Sequence, residues 1–360
     1  MSETAETVSI EAVRTSLHCP RRYEFAHVDG LEPDGDGDGR QARVDVLRRS
    51  ICTALRRGDR DADALYEAAA DRLASLWDAH DERFHSVAQR THERNVLEAT
   101  LRAYVDEFGT DHAAGIRRLE AETDGELIGP TLPLSRSVSL PEPDRSTADG
   151  STADGSTADG ESDARSRTVR IDATVDYVYG DGSSVVGVRF VPTLAPLGLV
   201  RYRSDWEGDV ERLFTDHFDP ETDAFDPDPV GALFETSVVL EGLRGLCDRL
   251  GLEERTCRYV QIPLADRTAT AVNWIRGTVE TSLEAADLTD AYVDHQTFGM
   301  TLEHRNRSVD DRLARVVGGL VDGGYTPADR WPQIERYACP DCGYAVCCPE
   351  YIASEVRFDG

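Results

Sequence analysis

Apolar residues recur at intervals of three and four through the first third of the chain. The pattern is clearest in Val87–Phe108, where Arg and Glu separate the apolar positions, and it repeats in Ala42–Leu55 and Ala62–Leu76. This spacing places the apolar side chains on one face of a helix. It therefore predicts a block of helices over residues 41–110.

After Gly115 the pattern changes to one that favours strands. Ile116–Glu122 and Thr131–Leu140 are strand-like, and apolar and polar residues alternate in Val169–Tyr179. A short Gly-Asp-Gly connection links that last segment to Ser184–Val191, which predicts a β-hairpin.

A polar stretch over residues 141–166 interrupts the strand-like segments. It contains the sequence STADG three times in tandem, from Ser146 to Gly160. So few apolar side chains cannot offset the entropy lost on ordering, so we expect a disordered insertion. Because strand-like sequence lies on both sides of it, we interpret it as an expanded hairpin loop inside one domain that spans residues 1–360.

The second half of the chain mixes helical and strand patterns. Thr256–Pro263 has the pattern of a strand. Helices are predicted over four segments: Trp206–Phe218, Val230–Leu250, Thr268–Ala286 and Asp310–Val321. Helices first, then strands, then a mixture of both indicate an α/β or α+β domain with a small central sheet.

The charge of the chain is strongly negative. Asp and Glu number 68 against 39 basic residues, which gives a formal net charge of -29, and every basic residue is Arg. The absence of Lys excludes any mechanism that needs a lysine, including that of a P-loop ATPase. An acid excess of this kind is what we expect of a protein adapted to high salt, where the Debye length falls to about 3 Å at 1 M. It is not typical of a protein that coats DNA, although local Arg clusters can still hold nucleic acid.

No segment of the sequence has the character of a membrane span or a secretion signal. No apolar run approaches the ~20 residues that a span requires, and the first residues, MSETAETVSIEAV, lack a basic and an apolar region. We therefore expect a soluble, cytoplasmic protein with no membrane partner.

Eight cysteines stand out in a protein expected to be cytoplasmic. A reducing cytosol disfavours disulfides, so clustered cysteines there more often bind metal or act in catalysis. Half of them lie in the segment 337–351, namely Cys339, Cys342, Cys347 and Cys348.

The spacing within this segment suggests a metal or cluster site. The Cys-x2-Cys turn of Cys339 and Cys342 brings two thiolates to one centre, and Cys348 can add a third ligand. Cys19 is the best candidate for the fourth, which would tie the two ends of the chain together. The alternatives are a structural zinc site closed by Cys347 or a His, and thiols that bind nothing.

The motifs at the two ends together resemble a known family. Cys-Pro-Arg-x-Tyr at Cys19–Tyr23, combined with the terminal Cys-x2-Cys-x5-Cys-Pro, resembles RecB-like nucleases of the PD-(D/E)XK superfamily, most of all the branch with a four-cysteine iron–sulfur cluster. That branch includes the CRISPR-associated exonucleases and AddB-like nucleases. The resemblance implies a restriction-endonuclease-like α/β core with a small mixed sheet flanked by helices. It also implies a cysteine clasp in which Cys19, Cys339, Cys342 and Cys348 hold a 4Fe-4S cluster, with zinc as the fallback.

The resemblance further implies metal-dependent hydrolysis of DNA, with Mg²⁺ or Mn²⁺ held by clustered carboxylates. In this family an Asp follows a Gly-x-x motif at a strand end, and Ala173–Asp176 is similar to that motif with Ala in place of Gly. Asp176 is therefore the predicted catalytic acid and metal ligand. An upstream acid, Glu122 or Glu120, is the predicted second ligand, and Asp172 is a further candidate.

The strand that should carry an Asp/Glu-x-Lys pair is degenerate. One alignment puts Gly187 at the acid and Arg189 at the lysine, and a shift by two puts Arg189 at the acid and Val191 at the lysine. Arg189 is the predicted replacement for the lysine, since a guanidinium also holds phosphate. Cys52 stands where the family often has a metal-binding His.

The sequence leaves three functions open. The first is a RecB-like DNA nuclease, active or catalytically degenerate. The second is a non-catalytic DNA-binding or scaffold protein stabilised by an iron–sulfur cluster, and the third is a zinc-stabilised interaction protein. Carboxylates that converge at one sheet edge would favour the enzyme, whereas a basic groove without them would favour the binder.

Overall fold

The computed structural model of this chain describes nine segments: residues 6–33, 39–59, 61–80, 83–140, 167–202, 210–273, 275–293, 306–327 and 330–355. Helices and a mixed sheet account for most of these residues, so the α/β class predicted from the sequence is confirmed. No helix among them is long and apolar enough to cross a membrane.

Twelve α-helices occur in the described segments. The six that precede the central strands are α1 (Ile10–His18), α2 (Pro20–Tyr23), α3 (Gly39–Arg57), α4 (Ala62–Asp78), α5 (Val87–Tyr104) and α6 (Thr110–Glu122). The six that follow are α7 (Val210–Phe218), α8 (Pro227–Leu250), α9 (Thr289–Tyr292), α10 (Arg307–Val321), α11 (Trp331–Tyr337) and α12 (Pro349–Glu355). Single π-helical turns extend α2 and α5, over Glu24–Val28 and Val105–Gly109.

Eight strands form two sheets in the same part of the chain. They are β1 (Glu6–Ser9), β2 (Ile128–Leu140), β3 (Arg167–Asp181), β4 (Ser184–Val191), β5 (Thr256–Pro263), β6 (Thr270–Asn273), β7 (Thr278–Thr281) and β8 (Ala286–Asp287). Six of them make the central sheet, in which β3 pairs with β2 and β4 antiparallel and with β1 parallel. β4 pairs parallel with β5, and β5 pairs antiparallel with β8.

Helices cover both faces of the central sheet, because each face carries its own apolar core. On one face, side chains of β3 such as Ile171 and Val175 pack with α1, α8 and α10. On the other face, Val188 and Phe190 of β4 pack with α3, α4, α5 and α6. Buried on both sides, the strands are rich in Val and Ile, as expected for a sheet inside an α/β domain.

The alternation of faces along β3 breaks at Asp176. Val175 and Val178 face the core with α8, whereas Tyr177 faces the core with α3, so the two-residue period is interrupted between them. The register of the partner strand β2 also shifts opposite this point. The extra residues of this bulge lie in β2, since Ile128 and Leu132 oppose Tyr177 and Val175. The Asp176 carboxylate opposite the bulge faces Arg48 of α3.

Two of the predicted elements are wrong. The segment Ile116–Glu122 is not a strand but the second half of α6. Gly115, after which the sequence pattern changes, is required for close packing, since a Cβ atom there would lie 2.6 Å from the Gly180 carbonyl oxygen of β3. The segment Thr268–Ala286 is not a helix but contains the hairpin of β6 and β7, because alternating Thr and Val residues favour strands.

The other predicted elements are present where the structure describes them. Helices occupy the three segments predicted between residues 42 and 108, and the β3–β4 hairpin, α8, β5 and α10 follow the predicted patterns. The first residues of the helix predicted over Trp206–Phe218 lie outside the described residues. The insertion at 141–166 also lies outside them, but its flanks Leu140 and Arg167 are paired neighbours in an antiparallel ladder, as in a hairpin.

Deletion of Ser146–Gly160 is expected to leave the folded protein intact. It would shorten the connection between β2 and β3 from 26 to 11 residues, and a shorter loop loses less entropy on closure, by about 0.8 kcal/mol. The midpoint of thermal unfolding in molar KCl should therefore stay the same or rise slightly. A clear fall in the midpoint would mean that the insertion packs on the domain.

Candidate functional site

Four cysteines from the two ends of the chain line one pocket. Cys19, which ends α1, faces Cys339, Cys342 and Cys348 of the C-terminal segment. The cavity between them is narrow, with a volume of about 20 Å³. We call these four residues the cysteine clasp.

Two of the four thiols stand at the start of a helix. Cys19 precedes Pro20 at the first position of α2, and Cys348 precedes Pro349 at the first position of α12. Pro fits this position because its missing N–H has no partner there in any case. The backbone N–H groups two and three residues beyond each cysteine act on its sulfur and favour the thiolate.

Burial nevertheless keeps these thiols protonated in the protein alone. Burial raises the pKa of Cys19 and of Cys348, and together with the neighbouring thiols it raises the pKa of Cys339 to about 12. Thiols are metal ligands in their deprotonated form, so a group that binds here must compensate for the loss of these protons.

Contacts between side chains also join the two ends. Arg21 of α2 donates hydrogen bonds to Glu350 of α12 and forms an ion pair with Glu24. The Tyr344 hydroxyl donates to the Leu31 carbonyl oxygen at 3.0 Å. The N-terminal helices and the C-terminal segment are therefore packed together around the clasp.

The other cysteines lie elsewhere. Cys347 is exposed and its thiol donates to the Tyr344 carbonyl oxygen. Cys247 and Cys257 form a pair with their sulfurs 3.9 Å apart between α8 and β5. Cys52 is buried under the central sheet.

Among the described residues, no group of three or more His, Cys, Asp or Glu side chains is placed so that it could hold a metal ion. Four thiolates on one zinc would have Zn–S bonds of about 2.3 Å and hence sulfurs about 3.8 Å apart. A polynuclear cluster takes thiolates that are further apart, because each is bound to a different metal atom.

Asp176, the predicted catalytic acid, is buried beside a guanidinium. Its Oδ1 atom lies 2.6 Å from Nε of Arg48 on α3, at an angle that makes the contact an ion pair without a hydrogen bond. Its Oδ2 atom accepts the backbone N–H of Phe190 at 2.6 Å. Burial raises the pKa of Asp176 to about 6, although Arg48 and the Phe190 N–H act in the opposite direction.

The face of α3 that covers Asp176 carries Arg48 and Cys52, one helical turn apart. The Cys52 thiol donates to the Asp176 carbonyl oxygen at 3.7 Å. Arg48 also pairs with Asp45 at 2.6 Å and donates to the Phe190 carbonyl oxygen at 3.0 Å. The structure therefore brings Cys52 to Asp176, and it adds Arg48, which the sequence analysis missed.

Arg189, the predicted replacement for the catalytic lysine, faces the opposite side of the sheet. It forms ion pairs with Glu235 of α8 and Glu11 of α1. Burial opposes its charge, but Glu235 raises the pKa of Arg189 well above its ordinary range. The Tyr259 hydroxyl also donates to Glu235 at 2.6 Å, so this guanidinium belongs to a buried network on the face of α1 and α8.

Glu122, the predicted second metal ligand, is not brought to Asp176. It lies at the exposed end of α6 and pairs with Arg255 at 2.7 Å. The same Arg255 donates to the Gly182 carbonyl oxygen at the tip of the β3–β4 hairpin. That tip lies six residues beyond Asp176, which corresponds to about 20 Å along a strand. Glu120 pairs with Arg117 within the same helix.

Neither a protein-family model nor a curated protein matches the sequence.

The buried Asp176 should leave a signature in the pH dependence of stability. Its ordinary pKa is 3.8 and its value in the folded protein is about 6, so the folded state binds more protons than the unfolded state between these values. The free energy of unfolding should therefore fall as the pH rises from about 4 to 6, by up to about 3 kcal/mol from this group. Asp176→Asn should flatten this part of the profile in urea unfolding at molar KCl. An unchanged profile in the variant would show that Asp176 does not titrate in this way.

Proposed function

We propose that this protein is a catalytically silent relative of the RecB-like nucleases, stabilised by an iron–sulfur cluster, that binds DNA without cutting it. The cysteine clasp supports the presence of a cluster, and the topology of the sheet supports the nuclease-like core. The surroundings of Asp176 support the absence of catalysis. DNA as the partner rests on the resemblance of the terminal motifs.

The clasp supports a cluster because four thiols from distant parts of the chain line one pocket, where the Cys348 thiol donates to Glu350 at 3.6 Å. Cys19, Cys339, Cys342 and Cys348 would hold a 4Fe-4S group, and the backbone N–H groups at the starts of α2 and α12 would stabilise two of the thiolates. Such a cluster supplies a cross-link between distant segments and a centre that can carry one electron. Apolar side chains that line the pocket, including Phe25 and Trp331, would shield it from solvent.

The topology is compatible with a restriction-endonuclease-like core. Three antiparallel strands, β2, β3 and β4, are followed by α8 and by β5, which pairs parallel with β4. Helices cover both faces of this mixed sheet. The hairpin that carries Asp176 and Arg189 is the one on which the family motif places its catalytic residues.

The observation that carries the proposal is the ion pair of Arg48 with Asp176. A divalent cation would have to displace this buried guanidinium from the only carboxylate that the motif retains. Gly187 provides no second acid, and a Cβ atom there would lie 3.1 Å from Leu243 in the apolar core. Arg189 is bound by two glutamates on the other face, so the parts needed to hold a metal and activate water are not assembled.

The protein is expected to bind DNA without cleaving it. With Mg²⁺ or Mn²⁺ in molar KCl, neither single- nor double-stranded DNA should be cut above background, and Asp176→Asn should be indistinguishable from the wild type. Fluorescence anisotropy with labelled DNA should still detect binding by both. The variant should match the wild type in cleavage because Arg48 already neutralises the Asp176 carboxylate, so that its replacement removes no metal ligand.

The matched control is Asp181→Asn, which changes an exposed acid at the end of the same strand that pairs with Arg258 at 2.9 Å. Divalent-dependent cleavage by the wild type that Asp176→Asn loses and Asp181→Asn keeps would contradict the silent site. Failure of all three proteins to bind DNA would remove DNA as the partner and favour a scaffold role.

A further inference from the structure

A second cavity lies beside the cysteine clasp, between α1, α7, α10 and α11. Its volume is about 260 Å³. Most of its wall is apolar, as at Phe218 and Leu320, but His217, Arg315 and Arg330 contribute polar groups. Small-molecule sites have this composition, with a few convergent polar groups in an apolar pocket.

At the polar side of the cavity, the hydrogen bond that His217 accepts determines which of its ring nitrogens carries the proton. Its ring is buried, and its Nδ1 atom accepts the backbone N–H of Asp226 at 3.0 Å. Burial, with Arg330 next to it, lowers the pKa of His217 to about 3, so the ring is neutral. A neutral imidazole with an accepting Nδ1 carries its proton on Nε2. That N–H points toward Nη1 of Arg330, which is also a donor and lies 3.2 Å away.

Besides the His217 Nε2 and Arg330 Nη1 groups, Arg330 has a further N–H donor that lacks an acceptor. Its Nη2 atom donates to the Ala224 carbonyl oxygen at 2.9 Å, but its buried Nε atom has no hydrogen-bond partner. Donors that face one another in a buried place are unfavourable unless an acceptor lies between them. One oxyanion could accept from His217 and Arg330 together.

Three guanidinium groups lie around the pocket although the chain as a whole is strongly negative, and the carboxylate of Asp226 also acts on one of them, Arg330. Arg315 donates to the Asp311 carbonyl oxygen at 3.3 Å, and Arg312 lies over the Phe218 ring at 4.9 Å. Burial lowers the pKa of Arg312 and of Arg330, yet a guanidinium stays charged at neutral pH. Across the described segments, no carboxylate forms an ion pair with any of these three guanidinium groups.

We propose that this pocket binds the phosphate of a nucleoside monophosphate, either free or at the end of a nucleic-acid strand. Phosphate oxygens would accept from His217, Arg315 and Arg330, which are charge-assisted contacts. The apolar wall would cover the base, and a cavity of about 260 Å³ is near the lower limit for a small ligand. The inference goes beyond the proposed function, because a free nucleotide can bind whether or not the protein binds DNA.

Calorimetric titration of the full-length protein with adenosine 5′-monophosphate tests the pocket. The nucleotide should bind in molar KCl, and adenosine, which lacks the phosphate, should bind at least tenfold more weakly. Arg315→Gln and Arg330→Gln should each weaken nucleotide binding about tenfold or more. Arg276→Gln, which changes an exposed arginine at the turn between β6 and β7, is the matched control and should leave it unchanged.

Titration with 5′-phosphorylated and 5′-hydroxyl oligonucleotides of one sequence distinguishes the two sources. If the protein prefers the phosphorylated strand and Arg315→Gln abolishes this preference, the ligand is the end of a strand. If the protein binds the nucleotide but shows no preference between the two strands, the ligand is the free nucleotide. The proposal is overturned if neither the nucleotide nor the phosphorylated strand binds, or if binding is the same in Arg315→Gln and the wild type. Because the hydrogen bond that Arg315 forms within the described segments goes to a backbone carbonyl of its own helix, its substitution should not unfold the protein.

Discussion

The two ends of the chain meet at the cysteine clasp, and several parts of the structure depend on this contact. Arg21 and Glu350, which are paired there, are 329 positions apart in the sequence. On the N-terminal side, α1 leads from β1, which pairs with the central strand β3. On the C-terminal side, α11 forms a wall of the nucleotide pocket together with α1. A cross-link at the clasp would therefore stabilise both the edge of the sheet and the pocket beside it.

At the centre of the sheet, buried arginines and carboxylates neutralise one another. Arg48 neutralises Asp176 on one face, and Arg189 is neutralised by Glu235 and Glu11 on the other. A buried carboxylate with a fixed guanidinium partner is costly to leave unpaired, so such pairs persist for structural reasons. A guanidinium cannot lower the pKa of water as a metal ion does, so Arg48 neutralises Asp176 without supplying a nucleophile for hydrolysis.

Local patterns predicted much of the fold, and long-range contacts explain the rest. The β3–β4 hairpin and α8 follow directly from alternation and helical spacing. The strand predicted over Ile116–Glu122 was wrong because Gly115 does not end a helix there. This glycine is needed for the close packing of α6 on β3. The resemblance to the family singled out Cys52, which lies beside Asp176. Arg48, one turn before Cys52 on the same face of α3, could not be predicted, since its partner Asp176 comes from a strand distant in the sequence. The separation of Asp176 from Arg189 depends on the bulge, which no sequence period reveals.

The composition of the clasp is the most direct test of this account. Protein purified without oxygen should contain about four iron atoms and four acid-labile sulfides per chain, the content of one 4Fe-4S cluster. Cys19→Ser should lose most of both, whereas Cys347→Ser, which changes the exposed neighbour of the clasp, should retain them. One zinc per chain without sulfide, or iron that is retained in Cys19→Ser, would contradict a cluster that joins the two ends of the chain.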